Sequence, residues 1–176
     1  ASLDVVGAAA DDFKIETGDG YLFFDVLYPL GSIAGKTYEN ANNASVVMKM
    51  SLISGDKAQP TPTLDSALAI GRTFLFTGDC EIACEEEILK HYLSLPGEGQ
   101  IIQADVLKIG HHGSRTSTSQ AFLDAVSPEI AVIQSGIDNQ FEHPHTETLE
   151  KLKNADIKIR RNDLEGRIKI PVRTIR

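Results

Sequence analysis

Asp105-Val106-Leu107-Lys108-Ile109-Gly110-His111-His112-Gly113-Ser114 is an apolar run that stops at a histidine pair held between two glycines. Its first half, Asp105–Ile109, has the composition of a buried strand. Its second half opens a polar loop, Gly110–Ser119, whose glycines permit a sharp turn and close backbone approach. Working outward, the same order recurs on both sides. Thr73–Thr77 is a short apolar strand ending at Gly78-Asp79, and Ile130–Ser135 is a buried strand candidate followed by His143-Pro144-His145. Helical patterns fall between them: Ile82–Leu95, stopped by Pro96-Gly97; Ser119–Val126; and a segment from Pro144 to about Asn154. Apolar strands alternating with amphipathic helices predict an α/β (α+β) chain, a sheet with helices packed on it. Such sheets carry function in the loops at strand C-termini. If these strands are parallel neighbours, the three loops meet at one edge.

Upstream, Gly20–Tyr28 is the first strand candidate, closed by Pro29, and Gly31–Asn43 is a loop. Ala44–Ile53 reads as a strand. Ser54–Arg72, with Pro60 and Pro62, reads as a long surface insertion. Downstream, Ile157–Arg161 and Arg167–Val172 look like a closing pair of strands around Glu165-Gly166.

A chain of 176 residues suits one domain, residues 1–176. Its 41% hydrophobic and 24% charged residues exclude a wholly disordered chain, a collagen and a coiled coil. Seventeen Lys and Arg against 25 Asp and Glu give a net charge of −8, which excludes nucleic-acid binding by bulk electrostatics. The charge is uneven: residues 147–176 carry nine basic and five acidic side chains, so a basic face around Lys158–Arg161 is expected there. No run approaches the ~18 apolar residues of a membrane helix, and no signal-peptide pattern is visible. The chain begins Ala1-Ser2-Leu3 without an initiator Met, so a processed chain or a piece of a longer one is expected. No compartment follows; a soluble domain of a membrane-associated or secreted parent fits.

Several side chains invite chemistry, each with a plainer reading beside it. Asp79 at a strand end suits a metal ligand or a cap for the next helix. Of two adjacent histidines, at most one faces an ion directly; the other serves beside it or gives a proton. His143 is either a helix N-cap before Pro144 or a general acid at the rim. Ser114, Arg115 and Ser117 belong to a hydroxyl-rich run, Ser114–Ser119, that reads equally as capping or as a phosphate cradle at a helix N-terminus. His91 and Glu85-Glu86-Glu87 read as solvated helix faces. Cys80 and Cys84, spaced like one helix turn, are expected as free thiols, or else in a metal or redox role, because two side chains leaving one helix make a poor disulfide.

Taken together, Asn42-Asn43-Ala44-Ser45-Val46-Val47, Phe74 to Asp79, Ala104 to Ser114 and His143-Pro144-His145 resemble the metallo-β-lactamase fold, and more narrowly the hydrolase domain of ComEC-family DNA-uptake competence proteins. Phosphorylcholine esterases are similar over the same blocks. The resemblance runs from about Tyr38 to Val172. It implies an αββα sandwich whose centre holds one or two metal ions, zinc or manganese. Asp79 and His112 would be ligands, His112 being preferred because glycine follows it. His111 would face substrate, and Asn42 replaces the superfamily's middle histidine as a weak neutral contact. Lys108, Arg115 and His111 would balance developing negative charge, and His143 would serve as acid.

The superfamily's first ligand cluster, His-x-His-x-Asp-His, is absent, since no histidine precedes His91. The resemblance therefore implies the C-terminal portion of a hydrolase domain, partnered by an upstream half and catalytically silent by itself, with activity not above that of an Asp79→Ala control. The leading expectation is a metal-dependent phosphodiesterase or nuclease acting on a phosphodiester, single-stranded DNA among them. The rivals are a small-phosphodiester esterase and a non-catalytic binding module.

Overall fold

The computed structural model describes residues 3–5, 13–17, 20–31, 34–35, 37–53 and 71–172. Almost all of the expected insertion, Ser54–Arg72, lies outside the described residues. Among the described residues, eight strands form one sheet in chain order: β1 (Leu3–Val5), β2 (Phe13–Thr17), β3 (Gly20–Tyr28), β4 (Val47–Ile53), β5 (Phe74–Phe76), β6 (Val106–Lys108), β7 (Ile130–Ile133) and β8 (Lys158–Arg161). From β1 to β5 the pairings are antiparallel; from β5 to β8 they are parallel. Each parallel crossover contains a helix: α1 (Ile82–Ser94), α2 (Gln120–Val126) and α3 (Thr146–Asn154). A mixed sheet with helices on it matches the expected fold class.

Leu75, Leu107, Ala131 and Ile133 point to the helix side and are fully buried against Ile88, Phe122, Leu123, Val126 and Leu152. Ser119 caps α2 by accepting the Phe122 N–H. The other face of the same strands carries Phe74, Phe76, Val106, Lys108 and Val132, as the register fixes.

Four expectations need correction. Arg167–Val172 is not a strand. A short helix, α4 (Asn162–Glu165), follows β8 instead, and Ile168, Ile170 and Val172 line a cavity of about 660 Å³ over the face bearing Phe74 and Val106. The alternation was real, but it serves a cover strip and not a ladder. β1 and β2 precede the first strand that the pattern signalled, since such short segments become recognisable only through pairing, β1 with β2 and β2 with β3. Glu85 is not solvated: it is 2% exposed and accepts the backbone N–H groups of Thr118 and Ser119. Cys80 and Cys84 form a disulfide. Cys80 lies before the start of α1, so the two side chains do not leave one helix, and their Cα atoms sit 5.6 Å apart, within ordinary disulfide range.

Candidate functional site

Because β5, β6 and β7 are parallel neighbours, the segments after them emerge at one sheet edge. The turn before β4 joins them, since β4 runs antiparallel to β5. Glycines make this convergence possible. A Cβ on Gly110 would lie 2.9 Å from the Cys80 carbonyl, and one on Gly113 would lie 2.5 Å from the Pro144 Cβ. Gly113 also has φ +89°, and His111 and His112 before it have φ 44° and 56°. Non-glycine residues held left-handed are uncommon and cluster at functional sites. Backbone bonds lock the set: His111 N–H donates to Gly78 O (3.2 Å) and His145 N–H to Gly113 O (3.0 Å).

Asp79 Oδ1 and His112 Nε2 stand 3.4 Å apart, both partly exposed. The other ring nitrogen, Nδ1, lies 2.6 Å from the Gln134 carbonyl, which can only accept, so Nδ1 carries the proton. In the neutral ring, the Nε2 lone pair then faces a carboxylate oxygen. Two acceptors in contact call for a positive charge between them, a proton or a cation. The separation is about what two donors ~2.1 Å from one tetrahedral ion subtend. Among the described residues, no group of three His, Cys, Asp or Glu side chains could hold a metal ion. The pair therefore fits one edge of a centre that needs one or two further donors. Asp79 does not cap α1, whose N-cap is Glu81.

Glu81 escaped the sequence reading, yet it ties its own segment to two others. Its carboxylate accepts from Asn40 Nδ2 (2.6 Å), Asn42 Nδ2 (3.2 Å) and Thr116 Oγ1 (3.0 Å), and lies 2.9 Å from His111 Nδ1. That last contact lacks hydrogen-bond geometry, and His111 Nδ1 has no hydrogen-bond partner. The signal that could have found Glu81 is its place two residues after Asp79, still outside the helix.

Lys108 donates to Gly78 O at 2.8 Å. Burial pushes its ammonium below its usual range, with nearby Asp79 pulling the other way. His143 packs near His145, His111 and His112, ring centroids 4.8, 5.4 and 6.4 Å away. Burial first, and these three imidazoles next, hold its pKa below the ordinary value. It is not a helix cap: His145 takes that place in α3, and Pro144 lies before it rather than in the first turn.

The hydroxyl run turns mostly inward. Ser117 is fully buried and its hydroxyl donates to Gly110 O; Ser114 is buried with its hydroxyl 2.9 Å from that of Thr116. The backbone donors ahead of α2 are taken by Glu85, which occupies the place imagined for a phosphate. Arg115 is exposed and pairs with Glu147. The expected basic face is neutralised locally as well: Arg160 pairs with Glu165, and Arg161 with Asp163. Among the described residues no helix is long and apolar enough to cross a membrane.

No family model matches the chain. Curated relatives do. ComE operon protein 3 of Bacillus subtilis (strain 168) is 32% identical over 126 residues, 69% of this chain and 15% of that protein. Competence protein ComA of Neisseria gonorrhoeae is 40% identical over 99 residues, 56% of this chain and 14% of that protein. Recombination protein 2 of Haemophilus influenzae is 38% identical over 96 residues, 54% of this chain and 11% of that protein. The chain thus matches about a seventh or less of each of these much longer relatives. These similarities indicate a ComEC-like competence family for the chain.

Proposed function

We propose that the chain is part of a metal-dependent phosphodiesterase domain of metallo-β-lactamase type, serving DNA uptake. The observation that carries this reading is the Asp79–His112 pair, two acceptors aimed at one point on a sheet edge. Among the described residues the sheet face beneath it is covered only in part, by Ile168, Ile170 and Val172, which suits a domain in which a second layer packs there. The names of the relatives support competence as the setting.

In this reading Asp79 and His112 would hold a zinc or manganese ion, which when bound would supply an activated water for hydrolysis. This chain contributes the rest by position. Gln134 holds the His112 ring so that Nε2 points at the ion's place. Lys108, pinned to Gly78, puts a cation beside Asp79 where charge accumulates on a phosphoryl group. Glu81 sets His111 at the rim, facing substrate. His143, its pKa held below the ordinary value by burial and the neighbouring imidazoles, gives up a proton readily once it carries one, which suits an acid facing a leaving oxygen. Asn42, beside Glu81 and 3.5 Å from His111 Nε2, lines the same rim.

Manganese titration followed by NMR tests this. Signals of Asp79, His112 and Gln134 should broaden first, and Asp79→Asn or His112→Ala should abolish that focus. Broadening spread over surface carboxylates and unchanged in Asp79→Asn would sink the reading.

A further inference from the structure

The segment between β7 and α3 presents two large apolar side chains to solvent: Ile137 is 74% exposed and Phe141 63% exposed. Single exposed apolar residues are ordinary. This segment, however, is pinned. The Asn139 side chain donates to Gly136 O and to His143 O, and its Oδ1 accepts the His143 N–H at 3.0 Å. Asp138 and Glu142 hold left-handed backbone with φ 51° and 57°. These bonds tie the turn that carries Phe141 to His143. That ring lies 5.8 Å from the His143 ring at 25°, and the His143 ring lies 6.4 Å from that of His112 at 17°. Three nearly parallel rings therefore lead from solvent to the Asp79–His112 edge. A cavity of about 210 Å³ opens among them, floored by Ser135 and Gly136.

We propose that Phe141 is a nucleobase-stacking shelf, so that the nucleic acid engaged beside the Asp79–His112 edge is single-stranded. The inference rests on the phosphodiesterase reading above and adds what that reading lacks, a contact to the base. Flat π-faces stack on aromatic side chains whatever the base, which suits a site that takes any sequence. Bases inside a duplex are already stacked and offer no free face. The chain's acidity makes such a contact more necessary, because bulk electrostatic attraction to the backbone is missing.

The test uses the chain with and without Mn²⁺, a thymidine dodecamer, and a dodecamer of abasic deoxyribose phosphate with the same charge. The base-bearing strand should bind about ten-fold more tightly than the abasic one. Phe141→Leu, which keeps an apolar side chain, should erase that preference without altering abasic binding, and Phe141→Tyr should keep it. The chain has no tryptophan, so Phe141→Trp supplies a single fluorophore that the base-bearing strand should quench and the abasic strand should not. Equal binding of both strands, unchanged in Phe141→Leu, overturns the shelf and leaves the phosphodiesterase reading standing. Failure of either strand to bind under both conditions overturns the two together.

Discussion

On the helix-covered face of the sheet, Leu75, Leu107, Ala131 and Ile133 are sealed, whereas on the opposite face Phe76 stays 36% exposed and Val46, just before β4, 52%. Both faces are apolar, as parallel strands usually are. Among the described residues, one is covered by helices and the other by a strip of three alternating aliphatic residues beside a cavity. Among the described residues the two faces thus differ in cover rather than in character, and the candidate site lies along the rim where they meet.

Substitutions separate the faces most sharply. Leu107→Ala should cost about 3 kcal/mol, seen as a Tm lower by roughly 6–12 °C, while Phe76→Ser on the open face should cost less than about 1 kcal/mol. Equal losses would break the comparison. Glu85 belongs to the sealed side. Glu85→Ala strands two N–H groups, those of Thr118 and Ser119, and should cost about 2 kcal/mol. In Glu81→Ala, at the partly open rim, the freed amides of Asn40 and Asn42 can turn to water, and the loss in urea unfolding should be smaller. Gly113→Ala adds a Cβ against Pro144 at positive φ, and should cost more than about 1 kcal/mol, with thermal shift as the measure.

The smallest effect is one of pH. Burial pushes the Glu85 carboxyl above its usual 4.5, against the pull of the Ser119 and Thr118 N–H groups and Lys151. The folded chain thus keeps this proton to higher pH than the unfolded chain. The stability it contributes is full below about 4.5 and fades as pH rises through the folded value. Wild-type urea midpoints, measured relative to Glu85→Gln, should therefore fall as pH rises above 4.5. A flat difference would place Glu85 with the solvated carboxylates.

Much of this arrangement was legible in the residues. The helices around Ile88, Phe122 and Leu152 announced themselves by spacing, and the short strands β5, β6 and β7 by apolar runs closed with polar loops. Their convergence followed from parallel pairing alone. Other features depend on tertiary contact. Glu85 looks like its neighbours Glu86 and Glu87 until the Thr118–Ser119 backbone arrives over it. The period of two in Ile168, Ile170 and Val172 reports a covered face and says nothing of a hydrogen-bonded neighbour. The Cys80–Cys84 bridge depends on where α1 begins, a boundary that pattern reading places within a few residues at best. Glu81 carries no motif; its importance comes from Asn40, Asn42, His111 and Thr116 reaching it from elsewhere.

The rim is assembled from Asn40–Ser45, Gly78–Glu81, Lys108–Thr116 and Gln134–His145, four segments spread over about a hundred residues. Few of its contacts are local, so long loops must close before any of them forms. A nascent chain therefore has no rim until β7 and its following loop have joined the sheet. The order of synthesis thus makes Gln134–His145 the last of the four segments to reach the rim.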